Sequence, residues 1–116
     1  MRGPESIRRL LPPGDARRDL RYRYLACQLP ADDADAAIEL ANRAIADARA
    51  LEDTHAQVRF LYCRAGARAN VASPQQTLGD WETGLAMARA NRDWRLLADG
   101  LVGRGHMRSL MGEHDR

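Results

Sequence analysis

Small and apolar residues return at three- and four-residue steps along most of the chain. In DADAAIELANRAIADARAL (33–51), Ala37, Ala41, Ala44, Ala48 and Leu51 keep that spacing, which puts them on one face of a helix from about Asp33 to Leu51. The rhythm resumes at Thr54 with Val58, Leu61, Ala65 and Ala69 and predicts a second helix to about Ala72, where Ser73-Pro74 interrupts it. Trp94, Leu97, Leu101 and Gly105 trace another helix over about 93–111. An earlier one is expected from about Asp15 to Leu29, closed by Pro30. It contains LRYRYLAC, whose order of arginine and aromatic residues resembles that of VRFLYCRA (58–65).

The stretch SPQQTLGDWETGLAM (73–87) reads in two ways. Ser73 is a good N-cap, Pro74 suits the first helical position, and Gln76 completes an S-x-x-Q capping box, so a helix over about 74–91 starts here. Gly79 and Gly84 then lie inside it, each costing about 1 kcal/mol relative to alanine, which marks this helix as the least stable of the set. The rival is a turn at Gly79-Asp80-Trp81, with SPQQTL as a loop. Trp81 is buried against the helix of Val58 and Leu61 in the first reading and exposed in the second.

A shift of 40 residues favours the continuous helix. It sets 45–71 over 85–111 without a gap, with Ala46/Ala86, Ala48/Ala88, Arg49/Arg89, Ala50/Ala90, Asp53/Asp93, Leu61/Leu101, Arg64/Arg104 and Arg68/Arg108 identical. The same register places Thr77, Trp81 and Gly84 beneath Ala37, Ala41 and Ala44. The result is an all-α fold of five helices, packed as successive antiparallel pairs, over residues 15–116. Residues 1–14 are expected as a disordered or extended segment before it.

Composition agrees with this picture and narrows the chemistry. The 116 residues suffice for one domain burying roughly two-thirds of its unfolded surface. The 20 alanines, set against one Phe and two Trp, favour helices in close approach. All 18 basic residues are arginine, but 16 acidic residues leave a net charge of only +2, without the basic block that nucleic-acid binding asks for. Cys27 and Cys63 form no metal-binding pattern and are expected as reduced thiols. Neither a signal peptide nor a membrane-spanning run is visible, so a cytoplasmic location is expected. His55, His106 and His114 are scattered, Ser6, Ser73 and Ser109 lack catalytic partners, and GLVGRGHM (101–107 with its preceding residue) lies inside a predicted helix rather than after a strand. The chain reads as a non-enzyme with no cofactor and no metal.

Helix pairs with small residues at their contacts, joined by short turns and repeated in tandem, resemble tetratricopeptide repeats, in the longer variety of about 40 residues found in bacterial regulators. The nearest local match is GRGHMRSLMGEHDR (103–116), where Gly105 fits the small contact residue and Gly112 to Asp115 the turn into a second helix. Arg64 and Arg104 depart from the pattern, falling where apolar residues are usual. The resemblance implies a protein-interaction scaffold, often an N-terminal regulatory arm of a signalling protein such as a diguanylate cyclase. It also implies that first helices of successive units line a groove. Arg64/Arg68 and Arg104/Arg108 stand four apart on such helices and repeat at the unit length, so they are candidates to grip a peptide carboxylate or a small anion, with Tyr62 and His106 from the same helices. The alternative is that they bond Asp80, Glu82 or Glu39 within the fold. The sequence stops at Arg116, where the second helix of a third unit is due. A fragment cut there is expected to expose Trp94, Leu97 and Leu101 and to form a homodimer through them.

Overall fold

The computed structural model describes residues 16, 18–20, 23–24, 34–69 and 71–112. Four complete helices follow one another: α1 (Ala34–Ala50), α2 (Thr54–Arg68), α3 (Pro74–Ala90) and α4 (Trp94–Leu110). Helical residues at Ala16, Arg18 to Leu20, Arg23 and Tyr24 precede them, completing an all-α array of five helices in which neighbours pack together. No strand occurs among the described residues. The expected segment 1–14 and much of the expected helix at 15–29 lie outside those residues.

The reading of Ser73 holds in full. Its side chain accepts from the Gln76 amide at 3.3 Å while Gln76 Oε1 accepts from the Ser73 amide at 3.1 Å, the reciprocal bonds of a capping box, with Pro74 opening the helix. The helix then runs through Gly79 to Ala90, which excludes a turn there. One boundary differs from expectation: α2 ends at Arg68 instead of Ala72. Its last carbonyls are satisfied by a tightening of the chain, in which the Val71 and Ala72 amides both donate to the Arg68 carbonyl at 3.0 and 2.7 Å.

The 40-residue repeat is physical as well as textual. The turns 51–53 and 91–93 are copies: Glu52 and Arg92 adopt positive φ of 54° and 55°, and the Asp53 and Asp93 amides donate to the Ala48 and Ala88 carbonyls at 2.9 Å. Asp53 and Asp93 are then N-caps, accepting from the Ala56 and Leu96 amides at 3.1 and 3.3 Å. Turns this short reverse the chain, so α1 runs antiparallel to α2 and α3 to α4.

Alanine brings the helices together, with Ala41, Ala44, Ala48, Ala65 and Ala88 essentially inaccessible to solvent. One apolar cluster joins Leu20 to Ala44, Ile45, Ala48, Ala56, Phe60 and Leu61; a second joins Val58 and Tyr62 to Ala88 and Leu96. Helix α2 contributes to both and touches α4 as well as its neighbours α1 and α3, so it is the centre of the array. Arg23, itself buried, ties the leading helical residues to α1 through a 2.8 Å bond to Asp47.

The cysteines depart from the expected reduced state: Cys63 is disulfide-bonded. The chain's other cysteine, Cys27, precedes it by 36 residues, the offset that also separates Leu20 from Ala56 and Tyr24 from Phe60. Tyr24 meets Phe60 edge to face with ring centroids 5.8 Å apart. Cys27 itself lies outside the described residues.

Candidate binding face

The arginine pairs emerge as rungs between helices. Arg64 holds Asp80 of α3 through two parallel bonds, Nε to Oδ2 at 3.0 Å and Nη2 to Oδ1 at 2.7 Å, and Arg68 Nη1 adds a third to Oδ2 at 3.2 Å. Arg64 Nη1 also donates to Asn42 Oδ1 of α1 at 2.8 Å, so one guanidinium clamps the helices on either side of α2. One unit later, Arg104 and Arg108 of α4 donate to the two oxygens of Glu82 on α3, at 3.3 and 3.4 Å. Asp80 and Glu82 are thus partners of the arginines, whereas Glu39 pairs with Arg43 at 3.0 Å on its own helix.

The two rungs are related by the repeat. Glu82 follows Asn42 by 40 residues, as Arg104 follows Arg64, so the bond from α4 back to α3 reproduces the bond from α2 back to α1. The forward bond, from Arg64 and Arg68 to the Asp80 carboxylate, has no counterpart on α4 among the described residues. Burial differs accordingly: the Asp80 side chain is 8% exposed and that of Glu82 42%.

The apolar surface repeats this asymmetry. On α2, Val58, Leu61, Tyr62 and Ala65 are 1%, 6%, 8% and 0% exposed, with Val58 and Tyr62 packed against Ala88 of α3 and Leu96 of α4, and Leu61 against Leu20 and the alanines of α1. Their 40-residue counterparts on α4 are Ala98, Leu101, Val102 and Gly105, and all four are exposed, Leu101 by 41% and Val102 by 75%. Trp94 extends the strip at 61%, while Leu97, half-buried, borders it. Of the expected oligomer contacts, Trp94 and Leu101 therefore lie on one open face, with Leu97 at its edge. Ala98 and Val102 share this face, four and eight residues after Trp94, although the reading from sequence followed Leu97, Leu101 and Gly105 instead.

Tyr62 belongs to the interior instead of the partner surface expected for it. Its hydroxyl donates to the Leu96 carbonyl at 2.8 Å, its ring lies 5.0 Å from that of Trp81, and burial together with the nearby charges of Asp99 and Asp93 pushes its pKa up to about 12. Glycines make room for both rings. A β-carbon on Gly84 would stand 2.5 Å from Tyr62 Cε1, one on Gly100 would collide with the Tyr62 hydroxyl, and one on Gly103 would stand 2.5 Å from the Trp81 ring. His106 is exposed on α4, one turn after Val102.

At the other end of α2, His55 Nδ1 lies 2.6 Å from Asp93 Oδ2, linking the N-termini of α2 and α4. Partial burial raises the Asp93 carboxyl, but the bonds from His55 and the Leu96 amide and the charge of His55 outweigh it and hold the pKa below the usual range. A shallow cavity of about 410 Å³ lies here, lined by Asp53, His55, Asn91 and Asp93. Among the described residues no group of three metal-binding side chains occurs, and no helix is long and apolar enough to cross a membrane.

Comparison with known proteins returns no match, whether against family models, curated proteins or solved structures.

Proposed function

We propose that the chain is a non-catalytic interaction module, a tandem helical repeat of the tetratricopeptide type with a 40-residue unit, acting as a regulatory scaffold through the outer face of α4. The observation that carries this reading is the contrast between equivalent surfaces: Val58, Leu61, Tyr62 and Ala65 are covered on α2, while Ala98, Leu101, Val102 and Gly105 are open on α4. An exposed, contiguous apolar strip bordered by arginines is the kind of surface that binds another protein.

In isolation the readiest cover for that strip is a second copy of the chain, paired about a two-fold axis. Sedimentation velocity at tens of micromolar is expected to show a dimer, and Leu97→Glu with Leu101→Glu to dissolve it while leaving the helical circular dichroism intact. A monomer whose sedimentation does not respond to those substitutions would remove support for self-association.

A second reading, a sensor for a small anion, draws support from charge. Among the described residues each arginine pair shares a single carboxylate, which leaves one positive charge in excess per rung. Melting shifts across a set of anionic metabolites test it, the expected signature being a shift abolished by Arg104→Gln and Arg108→Gln. The disulfide at Cys63 is of a kind that persists in oxidising compartments, and we favour such a setting over the cytoplasm.

A further inference from the structure

The repeat specifies what kind of helix the α4 face accepts. On α2, the covering helix α3 presents Asp80, Trp81, Gly84 and Ala88, and Asp80 is the carboxylate among them, seated between Arg64 and Arg68. Helix α4 carries the same arrangement one unit on: Leu101 repeats Leu61, Arg104 and Arg108 repeat Arg64 and Arg68, and Ala98 and Gly105 stand for Val58 and Ala65. The backward bonds of this rung are made, to Glu82 at 3.3 and 3.4 Å, longer than the 2.7 Å Arg64 bond to Asp80. Among the described residues, no carboxylate makes the forward bond to Arg104 and Arg108.

We propose that the α4 face is a docking site for an amphipathic helix whose packed stripe is built of small residues and carries one carboxylate, in the position Asp80 occupies on α3. The helix lies along Ala98, Leu101, Val102 and Gly105, and its carboxylate takes the guanidinium hydrogen-bonding capacity that Glu82 leaves in Arg104 and Arg108. Charge complementarity distinguishes this occupant from a second copy. The α4 strip of another chain offers Trp94, Leu101 and Val102 but no acid, so it covers the apolar surface and leaves the arginine pair as it stands. The inference rests on the interaction-module reading and names the partner of its face.

A probe exists within the chain itself, since α3 is the segment that fills the equivalent face of α2. A fluorescently labelled synthetic peptide of residues 74–90, PQQTLGDWETGLAMARA, is titrated with the whole protein and followed by anisotropy. Saturable one-to-one binding is expected, with conversion of any dimer to a monomer–peptide complex in sedimentation. The Asp80→Asn peptide is expected to bind about 10-fold or more weakly, the loss of a charge-assisted bond pair. Leu101→Glu or Val102→Glu in the protein, both at exposed positions, is expected to abolish binding; this separates docking on α4 from displacement of the chain's own α3. Equal binding of the Asn peptide, or binding indifferent to both Glu substitutions, overturns the proposal. If the peptide fails to bind while the dimer forms through Leu101, the partner chemistry is wrong and the interaction face stands. If neither the dimer nor the peptide complex forms, both readings fall.

Discussion

Tyr62 is the residue at which the packing of three helices meets, and glycine is what admits it. An interior glycine ordinarily weakens a helix by about 1 kcal/mol, so Gly79→Ala, where a new β-carbon meets nothing within 4 Å, is expected to stabilise the protein by that amount. Gly100→Ala reverses the sign. Its β-carbon runs into the Tyr62 hydroxyl and lies 2.8 Å from Leu85 Cδ2, and overpacking of this kind costs about 1–3 kcal/mol, more than helix propensity returns. Thermal melts of the two variants, moving in opposite directions, check the assignment. The phenol itself makes a second prediction. It ionises near pH 10 when unfolded and about 12 in the fold, so the protection it contributes is complete below pH 10 and is lost as pH rises from 10 to 12. The loss amounts to on the order of 2–3 kcal/mol. Tyr62→Phe is expected to flatten that alkaline limb in denaturant titrations, and an unchanged limb would place the ring outside the core.

Between elements, the arginine rungs divide by what covers them. Arg64→Gln leaves Asp80, a carboxylate enclosed between two helices, with only its 3.2 Å bond from Arg68, and breaking a buried pair from one side costs at most about 3–5 kcal/mol. Arg104→Gln releases Glu82 toward water, where an ion pair is worth about 0–1 kcal/mol. Urea denaturation of the two variants measures the difference, and equal losses would mean that the rungs are energetically alike. This contrast also shows what the sequence could and could not convey. Periodicity, the capping box at Ser73 and the 40-residue shift locate the helices because each is a local signal, written in neighbouring residues. The same shift pairs Arg64 with Arg104 as letters. It cannot say that one faces a covered carboxylate and the other a half-open one, because burial depends on the presence of the next helix. Tyr62 was misread for the same reason: an aromatic beside an arginine pair has the composition of a binding surface, and only the opposing Gly84 and Gly100 reveal it as interior. The disulfide at Cys63 was not legible for a different reason, since the chain's two cysteines stand 36 residues apart and fall outside the 40-residue repeat.

Across the whole molecule, cover decreases along the repeat, and stability is expected to follow it. In an array where each helix contacts mainly its neighbours, local opening is governed by how many of an element's faces are occupied. Helix α2 has Ala56, Phe60 and Leu61 buried in one apolar cluster and Val58 and Tyr62 in the other. Helix α4 buries Leu96, Gly100 and Met107 on one side only and carries three interior glycines, Gly100, Gly103 and Gly105, against the single Gly66 of α2. Both helices start from an aspartate cap of the same geometry, so capping does not separate them. Native-state hydrogen exchange should therefore find the slowest amides in the middle of α2, at about Phe60 to Cys63, opening only with global unfolding. The amides of α4 from about Ala98 onward should exchange by a smaller, local opening that leaves α1 and α2 protected. Uniform protection across the four helices would mean that the array unfolds as one unit and that the open face of α4 costs it nothing. If instead the gradient is present, saturating amounts of a helix that occupies the face should erase it, raising protection in α4 toward that of α2 while leaving α1 unchanged, because the covered state of α4 is then the state α2 already has.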